Sequence, residues 1–283
     1  MAKKKPIRII SAVLCSICII AALYIALPHY PMQLPSVWPV EYPTVHFSVD
    51  DVNDICLSLN DDNKNSIFED TLLVLLKQWH DNYGIVASLY IQGPFTVNSH
   101  YADEIINNSD WLHWGYHGIG SQRHKTGIGS FSRQVSDSIG TTKIIDKTVR
   151  VDYYHADLLT CLKYRYYGYK AFYTADDWGT NAKKRITNYY LSESQCDNLE
   201  TADVLYDAIH DITFIKTDYR IERITPPYHA LHNHIQYAKN NQSNKPDLLI
   251  LFTHERFLKC YSERIDSLFI LLREAEYHYR FPY

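Results

Sequence analysis

From Thr44 onward the chain alternates short strand-like runs with helix-like stretches, and this alternation limits its fold more than any other feature. "TVHFSVD" reads as a strand by its β-branched and aromatic content. "SIFEDTLLVLLKQWHDNYG" places Phe68, Leu72, Leu75, Leu76 and Trp79 on one helical face, with Gly84 as the stop. "IVASLYI" predicts a second strand, "YADEIINN" a short helix and "DWLHWGYHG" a third strand ending at Gly118. Further on come the helix-like "DLLTCLKYRYYG", the strands "YKAFYTADD" and "ITFIKT", and a polar helix near "LHNHIQYAKNN". The strand "DLLILFTHE" and a helix from Ser262 to Ala275 close the chain. Strand and helix in this order predict an α/β fold, a parallel sheet or barrel covered by helices.

Several of the strands end in polar residues: Asp50-Asp51, His117, Asp176-Asp177 and His254-Glu255. Parallel α/β folds gather their chemistry at the carboxyl ends of the strands, so these residues are candidates for one site. Adjacent carboxylates repel and raise one pKa unless a cation or donor separates them. A carboxylate of the Asp50-Asp51 pair with the imidazoles of His117 and His254 would suit zinc or a similar divalent ion. The second carboxylate could take a proton from bound water, and a further His could act as general acid. The simpler reading is a solvated turn, as for the Asp61-Asp62 pair in "NDDNKN". His113 and His117 have the spacing of a helical metal pair, but in a strand four residues span about 13 Å. They therefore cannot share an ion, and His113 is expected to be structural or exposed.

The N-terminus sets the compartment. Lys3, Lys4, Lys5 and Arg8 precede an uncharged run from Ile9 to Leu27. Such a run spans about 28 Å as a helix, close to a bilayer core. Its length, and the lack of an A-x-A site after it, favour an uncleaved anchor over a cleaved signal peptide. The expected organisation is a cytoplasmic basic segment (1–8), a single transmembrane helix (9–27), a Pro-rich linker (28–43) and an extracytoplasmic domain (44–283) in a cell membrane. The linker is extended, with five Pro between Pro28 and Pro43. A formal charge of −4, with 28 basic against 32 acidic residues, argues against nucleic acid as a partner. Cys56, Cys161, Cys196 and Cys260 lie in the expected exported part, where disulfides are possible and spacing cannot choose a pairing. No C-x-x-C pair lies beyond the anchor to suggest a cysteine zinc site.

The ordered set of motifs resembles the polysaccharide deacetylase family with the NodB homology domain, carbohydrate esterase family 4, and most closely its divergent branches. "SVDDV" at 48–52 stands where that family has T-F-D-D-G, and "HGIGS" from His117 where it has H-[ST]-x-x-H. "RVDY" from Arg150 stands where the family has R-x-P-[YF], with Asp152 replacing the Pro, "ADDW" supplies the Asp177-Trp178 pair, and "FTH" ends at His254 in place of L-x-H. The resemblance implies a distorted (β/α) barrel and hydrolysis of acetyl groups on an envelope or extracellular glycan. It implies Asp50 as catalytic base, Asp51 and His117 as metal ligands, Arg150 as the residue orienting the base, and His254 as catalytic acid. Asp177 and Trp178 would lie in the substrate groove.

The departures are as informative. Ser121 stands where the family has its second metal-binding His, and a hydroxyl is a poor zinc ligand beside imidazole. Asp152, His124 or Asp176 would then have to complete the shell. Val52 and Phe252 replace the usual Gly and Leu, changing the expected acetyl pocket. The expectation is a membrane-anchored, metal-dependent carbohydrate deacetylase. The alternatives are an inactive glycan-binding or scaffolding protein, or a different metal hydrolase, on the same fold.

Overall fold

The structure is a computed structural model describing residues 13–20, 42–118, 127–175, 188–223, 229–240 and 248–281. Residues 13–20 are helical and exposed, and no helix among the described residues is long and apolar enough to cross a membrane. The remainder of the expected anchor (9–12 and 21–27) and linker residues 28–41 lie outside the described residues.

The expected α/β alternation is present. The described strands are β1 (Thr44–Val52), β2 (Ala87–Ile91), β3 (Leu112–Gly118), β4 (Ile145–Val151), β5 (Ala171–Tyr173), β6 (Val204–Asp207), β7 (Ile212–Ile215), β8 (Tyr219–Arg220), β9 (Leu248–His254) and β10 (His278–Tyr279). They form one sheet in the order β6-β7-β5-β4-β3-β2-β1-β9-β8, with β10 beside the start of β1. Every pairing is parallel except β6 with β7. The hydrogen-bonded path ends at β6 and β8, so the described strands form an open half-barrel.

The helices that position the site are α1 (Asp54–Ser58), α2 (Thr71–Tyr83), α3 (Ala102–Asn107), α4 (Ile128–Ile139), α5 (Leu158–Tyr166), α6 (Glu193–Ala202), α7 (His229–Asn240), α8 (Glu255–Leu258) and α9 (Ser262–Glu274). Asp70 caps α2 by accepting from Leu72 N and Leu73 N, and Gly84 ends it in the left-handed conformation at φ 70°. The buried stripe of α2 is Leu73, Leu76 and Trp79, while Phe68, Leu72 and Leu75 are half-buried. The expected face is thus rotated by about one residue.

Along β1 the alternation divides two environments. Val45, Phe47 and Val49 point toward the helices, where Phe47 meets Trp79 and Phe269 edge-on at 6.4 and 5.2 Å between ring centroids. His46, Ser48 and Asp50 have the opposite parity and are equally buried, facing the inside of the half-barrel. His113 is half-buried at the amino end of β3, its ring stacked 3.6 Å from that of Phe281. It is a structural residue, as its strand position predicts. Cys56, Cys161 and Cys196 are buried free thiols and Cys260 is an exposed one.

Candidate active site

β1 brings its two carboxylates to the same place by breaking its own alternation. In a regular strand, neighbours point to opposite faces. Here the β1–β2 register shifts between Val49 and Val52, and Asp51 takes a left-handed φ of 58°. Both Asp50 and Asp51 then line one cavity of about 470 Å³. Glu255 pins the turn: its carboxylate accepts from the backbone N–H groups of Asn53, Asp54 and Ile55, each at 2.8 Å. A residue expected at the site therefore serves as a clamp between the ends of β9 and β1.

Adjacent strands deliver the partners. Asp50 stands beside His254 in the β1–β9 register, and His117 beside Arg150 in the β3–β4 register. Arg150, 1% exposed, places its Nε 3.0 Å from Asp50 Oδ2 and donates to Thr217 Oγ1 at 3.1 Å. Its guanidinium carbon lies 4.4 Å from the centroid of the Phe252 ring and 4.6 Å from that of Tyr173, so the replacement at Phe252 supplies an aromatic wall for this cation. Asp50 Oδ1 is buried without a hydrogen-bond partner among the described residues. Burial pushes the Asp50 carboxyl above its ordinary pKa against the pull of Arg150, His117 and His254.

His117 has a determined tautomer. Its Nδ1 lies 2.6 Å from the carbonyl oxygen of Arg150, which can only accept, so Nδ1 carries a proton. Nε2 then faces Asp51 Oδ1 at 3.2 Å, two electron-rich atoms that require a proton or a cation between them. Burial works against charging His117, yet its bond to Asp51 and the two carboxylate charges outweigh it and raise its pKa. Burial likewise opposes ionising Asp51, but the His117 bond and the nearby His117, His254 and Arg256 charges hold its pKa below the usual value. Donors sharing a tetrahedral zinc shell at 2.0–2.1 Å lie about 3.3 Å apart. Asp51 and His117 therefore have the separation of two ligands of one ion. Gln92 also donates to Asp51 Oδ1, at 2.9 Å.

The opposite side of the cavity carries His254. Its Nδ1 donates to Glu222 Oε1 at 2.5 Å, and its Nε2 lies 3.8 Å from Asp51 Oδ2. Glu222 also accepts from Thr253 Oγ1 at 3.0 Å. Burial pushes the Glu222 pKa up, but these bonds and the His254 charge bring it below the ordinary glutamate value. Sequence reasoning missed Glu222, which sits in a single 3₁₀ turn, Ile221–Arg223, after a two-residue strand.

Of the sequence candidates, Asp50, Asp51, His117, Arg150, Asp152 and His254 line this one cavity. Ser121, His124, Asp176, Asp177 and Trp178 lie outside the described residues. Among the described residues, no group of three His, Cys, Asp or Glu side chains is placed to hold a metal ion. Asp51 and His117 have the separation of two ligands of one ion, and Asp152 lines the same cavity without completing a group of three with them.

No family model matches the chain, and no curated protein matches its sequence. Among solved structures, it is similar to a protein from Mycobacterium smegmatis assigned to the polysaccharide deacetylases, with 11% identity, TM-score 0.44, and 88% of this chain and 97% of that one covered. It is also similar to the peptidoglycan N-acetylglucosamine deacetylase Bc1960, with 12% identity, TM-score 0.40 and coverage of 86% and 87%. A third neighbour is the 4-α-glucanotransferase of Thermococcus litoralis, with 13% identity, TM-score 0.48 and coverage of 82% of this chain and 37% of that one.

Proposed function

We propose that the chain is a metal-dependent hydrolase that removes acetyl groups from an envelope or extracellular polysaccharide. The observation that carries this reading is His117 Nε2 facing Asp51 Oδ1 at 3.2 Å, in one cavity with the Asp50–Arg150 and His254–Glu222 pairs. Asp51 and His117 would hold a divalent ion, zinc by donor type, with Asp152, His124 or Asp176 as third ligand. Such an ion, when bound, supplies Lewis-acid polarisation of the acetyl carbonyl and makes water more acidic.

The chain's own groups supply the proton transfers. Asp50 Oδ1, unpartnered and buried, takes the proton of the attacking water, while Arg150 holds Oδ2 and fixes the carboxylate plane. His254 presents Nε2 to the cavity because Nδ1 is committed to Glu222. Protonated at Nε2, it gives that proton to the leaving nitrogen or oxygen, and Glu222 stabilises the imidazolium that must form first. We place the domain outside the cytoplasm, carried by an anchor at 9–27; the uncharged run after Lys3, Lys4, Lys5 and Arg8 supports this. Protease protection of the C-terminal domain in intact cells would reject that placement.

The test uses the full-length protein in mild detergent. One equivalent of zinc or a related ion, lost in Asp51→Ala and His117→Ala, with acetate released from acetylated oligosaccharides, is the expected result. Full acetate release by His254→Ala would reject its role as acid. The absence of a three-donor group among the described residues favours a second reading, an inactive glycan-binding or scaffolding protein. A folded wild type that binds no divalent ion at micromolar concentration and releases no acetate would establish that reading over the first.

A further inference from the structure

Two guanidinium groups stand on the His254 side of the cavity and take no part in the chemistry described above. Arg220, half-buried on β8, pairs with Phe252 in the β8–β9 register, its guanidinium carbon 5.0 Å from the centroid of the Phe252 ring. Arg256, exposed on α8, holds its guanidinium carbon 4.9 Å from the centroid of the Phe257 ring. Those two rings flank His254: Phe252 meets its ring edge-on at 5.6 Å and Phe257 at 6.3 Å. Both arginines line the cavity. A guanidinium resting on an aromatic face is held in place there while its N–H edge can still donate to an acceptor.

The carboxylates next to them in sequence are committed elsewhere. Glu222 accepts from His254 and Thr253, and Glu255 accepts from the backbone of Asn53, Asp54 and Ile55. Among the described residues Arg256 makes no hydrogen bond or ion pair, yet its charge reaches Asp51 and helps to hold that carboxyl below its usual pKa. Three carboxylates and three guanidiniums line the cavity. Asp50 and Arg150 answer each other at 3.0 Å, and a divalent ion at Asp51 and His117 would tip the rest of the lining to a positive excess. Two arginines at a cavity whose own carboxylates do not require them are poorly explained by folding. Their planar fork of donors suits a carboxylate or a phosphate.

We infer that Arg220 and Arg256 form an anion-recognition subsite, which takes a carboxylate or phosphate borne by the sugar that loses its acetyl group. The placement follows from His254. Its proton goes to the departing sugar nitrogen or oxygen, so groups that flank its ring face the sugar rather than the acetyl methyl. The inference rests on the glycan reading of the site and adds a substrate class to it: an acidic glycan. A neutral polysaccharide would leave the subsite without its anion.

The experiment measures binding to the full-length protein in mild detergent of two acidic probes, each against a neutral counterpart. N-acetylglucosaminuronic acid is compared with its methyl ester, and N-acetylglucosamine 6-phosphate with N-acetylglucosamine. At least one acidic probe should bind roughly three- to thirtyfold tighter than its counterpart, between the scale of an exposed ion pair and that of a charge-assisted hydrogen bond. Whichever pair shows the larger ratio assigns carboxylate or phosphate. In Arg256→Gln and in Arg220→Gln that ratio should fall to within about twofold of unity, and Arg256→Lys, which keeps the charge and loses the fork, should fall between. Arg256 is exposed, so Arg256→Gln should melt where the wild type does. Acidic and neutral probes that bind alike in the wild type overturn the inference, as does a ratio that survives both glutamine variants. A ratio lost in Arg256→Gln only together with a lowered melting temperature overturns it too, since the residue would then be structural. An acid preference that depends on Arg256 without acetate release would leave the subsite standing and remove the deacetylase reading alone.

Discussion

The two faces of the same sheet are buried alike and built differently. Outward, Val45, Phe47 and Val49 of β1 pack against α2 and α9 through apolar and edge-on aromatic contacts. Inward, the alternate residues of β1, β2 and β4 are mostly polar: Ser48, Ser88, Asp146, Thr148 and Arg150 are all buried. Hydrogen bonds link several of them, with Asp146 accepting from Ser88 and Tyr90, and Tyr90 paired with Thr148. Apolar contacts tolerate small rearrangements, whereas a buried polar network has few arrangements that satisfy every group. The outer face stabilises the sheet; the inner face fixes where Asp50, Arg150 and His117 stand.

Breaking the ion pair should give the largest effect. Arg150→Met leaves the Asp50 charge buried and unpaired, with an expected loss of about 3–5 kcal/mol in urea unfolding, together with loss of acetate release. Replacing both partners, as Asp50→Leu with Arg150→Met, should restore most of the stability and none of the activity. If the double variant is as unstable as the single one, the inner face is a stabilising element and the contrast fails. Next in size is Phe47→Ala on the outer face, expected to cost about 3–4 kcal/mol through lost burial and the cavity left behind. Its folded fraction should keep wild-type zinc affinity and catalytic rate. A large change in either would show that the outer packing also sets site geometry.

The outer face is also the part of the fold that the sequence makes legible. β1, β2, β3 and β9 carry apolar residues toward the helices, and the polar ends of β1, β3 and β9 are expected to meet in one site. β4 leaves no clear pattern because Asp146, Lys147 and Thr148 are three polar residues in succession, which breaks the alternation of a strand. α4 was missed although Ile128, Phe131, Val135 and Ile139 are its buried stripe and Gly140 stops it at φ 80°. Its Gly and Ser content disguised a helical period. Inside the site, Asp50, Asp51, His117, Arg150 and His254 could be found from strand ends and motif order. That both carboxylates share a cavity depends on a bulge, and Glu222 reaches His254 only through the pairing of β8 with β9. Neither feature leaves a local pattern.

The smallest of these effects probes the inner face away from the site. His46 is fully buried, stacked 5.8 Å from Tyr173 between ring centroids, and neither ring nitrogen has a hydrogen-bond partner of ordinary geometry. Burial lowers its pKa to about 4, with Asp146 pulling upward and Arg150 and His113 pushing down. A histidine that titrates near 6.5 when unfolded and near 4 when folded binds fewer protons in the native state between those values. Its contribution is therefore complete above pH 6.5 and is lost as pH falls toward 4. Between pH 7 and 4.5 the loss should reach about 2–3 kcal/mol. His46→Phe, which preserves the ring stack and cannot take up a proton, should lose that much less over the same interval. Equal acid sensitivity in the two proteins, measured by urea unfolding at both pH values, would place the titrating groups elsewhere and separate the inner polar face from the acid response of the fold.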